Sequence, residues 1–326
     1  MKLNLYDENL KRIAAIEDRF VSCFWSEGYN TLESFVVELQ DTEEYRKKVR
    51  PGCFVGRSDR NTVMVITTVE IKNGRISASG FPAARLLKDV SVLDAPAHRS
   101  VAFKIYQAYE SSESKNPLLI VKSPEEVDPG WVYADVTHDN MLELCETVCQ
   151  GDEVGFKVTK EGTQLALSIY RPEENAKLVY SENYGNLSVG SITFSTENFK
   201  NYAIVLGPEL LRFEIDETNG DYRRDLIVHA ENETQNENDY SYQGYLERLQ
   251  DMGRKALLEH RKTWECAFTP LADDFGKKFD LGDILTVLLP DMGMTLKARV
   301  SRFTQKEQNN QTKTTIEVGQ ITIKKG

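Results

Sequence analysis

Cys145 and Cys149 stand one helical turn apart, and with His138 a short way upstream they form the most suggestive metal-binding grouping in the chain. A structural zinc site takes four ligands, and no fourth partner stands at a familiar spacing. The two thiols therefore read as small apolar residues on the packed face of a helix. Gly185-Asn186-Leu187-Ser188-Val189-Gly190 has the residue types of a nucleophile elbow at the wrong spacing, and is read as a turn before a strand. Gly276-Lys277-Lys278 lacks the earlier glycine that a Walker A loop needs to cradle phosphate, so it reads as a turn feeding a strand. His98, His229 and His260 are isolated, without the partner that acid/base or nucleophilic work requires. Asp273-Asp274 and Asp280 with Asp283 lack the alternating Asp/Asn pattern closed by a Glu that marks a calcium loop, and read as solvated turn chemistry. Trp25, Trp131 and Trp264, with 14 tyrosines, would suit a sugar or peptide platform, but their strand positions favour core. No catalytic, cofactor-binding or metal-ligating residue is assigned.

The elements that hold these residues are mostly strands. Leu3–Tyr6 and Ile13–Ile16 flank the polar turn Asp7-Glu8-Asn9 and predict an N-terminal hairpin. Strands follow at Val21–Trp25, Phe35–Leu39, Thr62–Val69 and Arg75–Ala78. The last two are joined by Lys72-Asn73-Gly74, whose Asn-Gly suits a type I′ turn. Val101, Ile105, Ala108 and Tyr109 fall at helical spacing. Asn140 with Glu143 makes a capping box for a second helix that stops at Gly151. A hairpin through Glu161-Gly162 joins Phe156–Thr159 to Leu165–Tyr170, and strands continue at Ser191–Phe194, Ala203–Leu206 and Leu211–Ile215. Glu231–Asp239 contains no apolar residue and reads as a solvated loop. A long helix carrying Tyr245, Leu249, Met252 and Ala256 on one face comes next, then strands at Thr263–Phe268, Asp283–Leu289, Thr295–Phe303 and Thr314–Ile323.

Composition excludes several classes. With 326 residues, 40 Lys+Arg against 51 Asp+Glu and a net charge of −11, the chain lacks the basic footprint of a duplex nucleic-acid binder. The longest apolar stretch, Ile284–Leu289, is far short of the roughly 20 residues that span a bilayer, so no membrane insertion is expected. Asn4, Asp7 and Glu8 interrupt the start before an apolar signal region forms, which predicts synthesis in a cytosol without secretion. Five scattered cysteines fit a reducing compartment. The length favours two compact units over one. The simplest arrangement is a β-domain whose N- and C-terminal parts pair around an inserted α+β domain.

Several stretches resemble one family in order along the chain. Leu3–Ile13 looks like the N-terminal hairpin of the siphophage ReqiPepy-type tail protein family, and Gly80–Leu87 resembles the point where its first β-unit ends. Asn140–Cys145, Val154–Val158 and Phe199–Gly207 match its middle. Phe279-Asp280-Leu281-Gly282-Asp283-Ile284-Leu285-Thr286-Val287 followed by Met294–Val300 resembles its C-terminal signature. The resemblance implies a non-enzymatic virion structural protein at the tail tip or baseplate: a homotrimeric hub ring of barrel-like β-domains. Its implied partners are the distal tail protein, the tape measure protein, and tail fibre or spike proteins, with no cofactor and no specific nucleic-acid binding. Many hub proteins carry a C-terminal hydrolase or receptor-binding extension, and here such an activity is expected on another polypeptide.

The expected fold is thus β-dominated α+β, with residues 1–92 and 225–326 forming split, barrel-like ring domains and 93–224 an inserted α+β domain. Long strands at both ends expose edges that closure or pairing between subunits would satisfy. The main rival is a receptor-binding tail protein that holds a cell-wall carbohydrate through an exposed cluster of Trp131, Tyr133 and Tyr170 in the insertion. A cell-wall hydrolase is the second rival, and requires a cleft with convergent carboxylates or histidines.

Overall fold

The computed structural model describes residues 1–17, 20–92, 100–122, 139–151, 154–235, 241–269, 274–309 and 311–324. It divides into two compact units, Met1–Gly190 with Ala267–Gly326 and Ser191–Cys266. The N-terminal part of the larger unit is a run of antiparallel strands, β1 (Leu3–Tyr6), β2 (Arg12–Glu17), β3 (Phe20–Gly28), β4 (Phe35–Gln40), β5 (Phe54–Arg57), β6 (Val63–Lys72) and β7 (Arg75–Pro82). The one-turn helix α1 (Glu43–Lys48) lies between β4 and β5 and is capped by the Thr42 hydroxyl. In the β6–β7 turn both Asn73 (φ 53°) and Gly74 (φ 72°) are left-handed, the conformation a type I′ turn demands. The β1–β2 turn is held by Asp7, whose Oδ1 accepts from the backbone N–H of Asn9 and Lys11. It also swings Leu10 into the core at φ 61°, 1% exposed, so burial of the side chain holds a backbone that leucine disfavours.

The C-terminal strands join this sheet. β17 (Ile284–Leu289), β18 (Met294–Gln308) and β19 (Gln311–Lys324) form a meander. The first part of β18 pairs with β17, and its second part pairs antiparallel with β3, from Arg302↔Gly28 to Gln308↔Ser22. N- and C-terminal segments thus share one sheet. β16 (Thr263–Thr269) follows β19, β12 (Ser188–Ser195) follows β16, and β11 (Glu174–Tyr180) runs parallel to β17. The order is β12-β16-β19-β18-β3-β4-β7-β6-β5-β1-β2. Among the described strands this sheet is open, ending at β2, at β12 and, on the branch through β17, at β11, so the single chain does not close the barrel that the resemblance led us to expect.

A second layer belongs to the same unit. Helices α2 (Val101–Ser111) and α3 (Met141–Gly151) pack with the small sheet β8-β10-β9, made of β8 (Leu119–Val121), β9 (Gly155–Glu161) and β10 (Gln164–Tyr170). Ser100 caps α2 by accepting from Phe103 N–H, and Asn140 caps α3 by accepting from Glu143 N–H. Glu143 in turn accepts from the Asn140 amide, a side-chain variant of the expected capping box. Val101, Ile105, Leu144, Val148, Leu165 and Leu167 share one core with Leu10, Phe54, Val63 and Val65. Residues 100–190 therefore belong to the compact unit of the N-terminal strands, and the boundaries drawn from sequence at 92/93 and 224/225 do not coincide with the observed ones.

The smaller unit is a three-stranded sheet covered by one helix. β13 (Tyr202–Leu206) is central, antiparallel to β14 (Arg212–Asp216) and parallel to β15 (Asp225–His229). Helix α4 (Tyr242–Glu259) buries Tyr245, Leu249, Gly253 and Leu257, a stripe at every fourth residue. Met252 and Ala256, expected on that face, lie at its flank, because Gly253 lets the helix approach the sheet. A Cβ there would stand 2.4 Å from Ile215 Cδ1 and 2.5 Å from Val205 Cγ2. No helix among the described residues is long and apolar enough to cross a membrane.

Candidate functional site

The chemistry-bearing residues of the larger unit gather where β3, β5 and β18 meet the segment before β17. Trp25 on β3 is fully buried, and its indole N–H donates to Glu27 Oε1 at 2.7 Å. Glu27 also accepts from the Thr62 hydroxyl at 3.1 Å and lies 3.6 Å from the Arg60 guanidinium. Arg60 in turn donates to Asp280 at 2.8 Å. Cations and rings alternate beside this chain of contacts. Arg57 lies over Trp25 (6.0 Å) and Phe303 (5.3 Å), Phe303 stacks on Phe275 at 4.2 Å, and Arg60 covers Phe275 at 4.5 Å. Such stacking suits guanidinium groups, which are planar and weakly hydrated. Arg57 is saturated by Asp59 and by Gln305 of β18, and its guanidinium holds the Asp59 carboxyl below the usual carboxylate range.

The C-terminal signature has a physical basis in this cluster. Phe279 packs edge-on against Tyr180 and Phe275. Asp280 receives Arg60, and Asp283 accepts from the N–H of Asp280 and of Glu173, which fixes the turn before β17. Gly282 sits at φ +89°, where a Cβ would meet Tyr29 at 2.5 Å and Pro172 at 2.9 Å. Its carbonyl accepts from the buried Arg299. Asp280 and Asp283 thus serve turn and ion-pair roles, in keeping with the turn chemistry read from the sequence. Gly276 turns the chain between Phe275 and Phe279 at φ +76°, with Lys278 paired to Asp274 at 3.0 Å, as the turn reading expected.

The remaining candidates lie apart. Cys145 and Cys149 are fully buried on α3, and burial pushes the Cys145 thiol well above its ordinary value, which removes thiolate reactivity. His138, Asp273, His98, Trp131 and Tyr133 lie outside the described residues. Trp264 lies in β16. His229 pairs with Glu231 at 2.9 Å, and His260 Nδ1 meets the Ala256 carbonyl at 2.8 Å, closing the end of α4. Gly185, at φ +66°, ends a short turn before β12. Tyr170 is turned inward: its hydroxyl donates to the Leu281 carbonyl at 2.9 Å, and burial raises its pKa, with Asp280 adding to the effect. Among the described residues no three His, Cys, Asp or Glu side chains are grouped to hold a metal ion.

Two concavities flank the cluster. One, of ≈240 Å3, runs from Glu27 and Arg60 to Lys157, Tyr170, Arg171 and Asp283. The other, of ≈390 Å3, is lined by Asn4, Tyr6, Arg12, Arg57, Ser58, Arg60, Asn61, Val63 and Lys160. The sequence reading missed this second cleft, because its cations come from β2, β5, the β5–β6 loop and β9, far apart in the chain.

The same fold recurs in tail proteins. Across 98% of this chain it is similar to a tail protein from Neisseria meningitidis MC58 (96% of that chain, 13% identity, TM-score 0.62) and to the 43 kDa tail protein of prophage MuSo2 from Shewanella oneidensis (98%, 14%, 0.63). Prophage tail protein gp18 from Listeria monocytogenes EGD-e is similar over 98% of this chain and 94% of its own (12%, 0.60). No curated protein matches the chain. The class defined by the fold is that of phage tail proteins. The family is narrower: residues 114–320 match the model for Siphovirus ReqiPepy6 Gp37-like protein, and the chain belongs to that family. The segments 3–13 and 80–87, which also carried the resemblance, lie outside the matched residues.

Proposed function

We propose that the protein is a non-enzymatic hub subunit of a phage or prophage-derived tail tip, forming a homotrimeric ring that joins the tail tube to distal components. The observation that carries this reading is the open sheet. Its N- and C-terminal strands are knitted together through β3 and β18, yet β2, β12 and, on the branch through β17, β11 each have one neighbour and one open edge among the described residues. Unpaired edges in a large sheet are an aggregation hazard unless a neighbour covers them. A head-to-tail contact repeated around an axis closes a ring and covers open edges of this kind. Barrel-like closure is then a property of the ring. The distal tail protein above, the tape measure protein inside, and fibres or a spike below are the partners of such a subunit, and the virion tail tip is its location. A lumen lined by a chain of net charge −11 would pass DNA without holding its phosphates.

Light scattering behind a sizing column, followed by negative-stain imaging, tests the reading. A species of three times the 37.1 kDa chain mass that images as rings is expected. A monomer that also fails to form rings when mixed with the neighbouring tail proteins overturns it. The receptor-binding alternative rests on Trp131 and Tyr133, since Tyr170 is committed to Leu281. Specific binding to cell-wall glycan, lost in W131A, would support that alternative.

A further inference from the structure

The ≈390 Å3 cleft is lined by four cations and by no carboxylate, on a chain whose net charge is −11. Arg57 and Arg60 are neutralised by carboxylates that stand outside it, Asp59 for the first and Glu27 with Asp280 for the second. Arg12 and Lys160 have no carboxylate partner among the described residues. Lys160 donates to the Gly162 carbonyl, and its ammonium lies 4.7 Å from the centre of the Tyr6 ring. Neutral donors complete the lining. The Asn4 amide donates to the Ser58 hydroxyl oxygen at 3.1 Å, which leaves the Ser58 O–H to donate elsewhere, and Asn61 adds a second side-chain amide.

The walls of the cleft are tied together by the backbone. Lys160 N–H donates to the Asn61 carbonyl at 2.8 Å, which joins β9 to the β5–β6 loop, and Ser58 N–H donates to the Lys2 carbonyl at 2.9 Å, which joins that loop to the segment before β1. Gly56 lets Tyr6 lie close, since a Cβ there would stand 3.0 Å from Tyr6 Cε2. The ladder between β1 and β2 shifts register between Leu5↔Ala14 and Tyr6↔Arg12, leaving Ile13 without an opposite residue. Such a bulge interrupts continuous pairing and re-aims the neighbouring side chain, and Arg12 lines the cleft. Donors from three separate elements suit an anion whose oxygens point in several directions. A phosphate group is tetrahedral and takes such donors from all sides, whereas a carboxylate offers two oxygens in one plane. The volume also leaves room for a small polar group attached to the phosphate, being within the range of about 300–1,000 Å3 usual for small-molecule sites. We propose that this cleft binds a phosphate group, with Arg12 and Lys160 balancing its charge and Ser58 and Asn61 hydrogen-bonding its remaining oxygens. Three of these four residues lie away from the β2 edge, on the β5–β6 loop and β9, and the site does not rest on the ring reading.

The test is isothermal titration calorimetry of the full chain at low ionic strength, with inorganic phosphate, glycerol phosphate and acetate as probes. Both phosphates are expected to bind on the order of tenfold more tightly than acetate. R12Q and K160Q, with unchanged circular dichroism spectra, should each weaken phosphate binding by a similar factor. K72Q removes an exposed lysine outside the cleft and should bind as the parent does. Tighter binding of glycerol phosphate than of inorganic phosphate supports the site and identifies its ligand as an organic phosphate. Equal affinities for the two support it as a site for free phosphate. Acetate binding as tightly as phosphate overturns the proposal, as does unchanged phosphate binding in both R12Q and K160Q. A parent protein that shows no saturable binding of either phosphate at millimolar concentration overturns it as well.

Discussion

Replacing Arg60 by methionine should expose what the buried Arg60–Glu27 pair contributes to stability. Arg60 and Glu27 have side chains only 13% and 5% exposed, and the guanidinium lies 3.6 Å from the carboxylate. At an effective dielectric near 20 that separation is worth about 4–5 kcal/mol of attraction before desolvation of both ions is subtracted. The half-exposed Asp280 adds little, being screened by water. Methionine keeps the unbranched stem against Phe275 but leaves Glu27 buried with only the Trp25 N–H and the Thr62 hydroxyl. Breaking such a pair from one side costs about 3 kcal/mol. In E27Q/R60M the glutamine carbonyl retains both of those bonds without a bare charge, so about 1.5 kcal/mol or more of the loss should return. Urea unfolding followed by circular dichroism, with slopes compared to verify a common transition, reads both values. An R60M within about 0.5 kcal/mol of the parent, or a double variant no more stable than R60M, would refute the reasoning.

Three further outcomes are expected. G282A should lose about 2 kcal/mol more than G52A, since both glycines have φ +89° but only Gly282 has Tyr29 and Pro172 within 3 Å of the added carbon; equal losses by urea unfolding would show that strain alone matters. Stability should fall at alkaline pH. Burial pushes the Cys23 thiol up to about 12 from 9.0, with Glu307 adding, so this contribution is complete below pH 9 and is lost as pH rises toward 12, at about 1.4 kcal/mol per pH unit. The half-buried Tyr170 and the buried Tyr180 act in the same direction from pH 10 upward, and C23A should show a shallower decline between pH 9 and 10. In a C266S variant the four remaining thiols, all buried, should stay silent to a disulfide reagent until denaturant is added, and prompt reaction of any of them would contradict the packing.

Local signals were the readable part of this fold. Asn73-Gly74 and Glu161-Gly162 each mark a hairpin that is present, because turn chemistry depends on a few adjacent residues. Both α2 and α3 follow their apolar spacing and caps. Strands β8 and β15 were not read, since each pairs in parallel with a partner that no tight turn announces. β11 was missed for the same reason. Leu10 and Gly253 were missed differently. Neither carries a local signal, because both are set by packing partners distant in sequence. The Trp25-Glu27-Arg60-Asp280 cluster spans most of the chain, so no spacing rule could have assembled it, although the Asp-Leu-Gly-Asp signature flagged one end.

The pairing of β3 with β18 has a consequence during synthesis. Ser22 waits for Gln308 before its strand acquires its second neighbour. At roughly 5–20 residues per second that interval is about a quarter of a minute to a minute. Through that time β3 can be zipped to β4 on one side while its other side remains adhesive. Nascent chains crowded on one message would then be at risk of pairing with each other rather than with their own late strands. Dilute expression at low temperature, which slows initiation more than folding is harmed, should raise the yield of dispersed protein, and premature termination before β18 should leave an insoluble product.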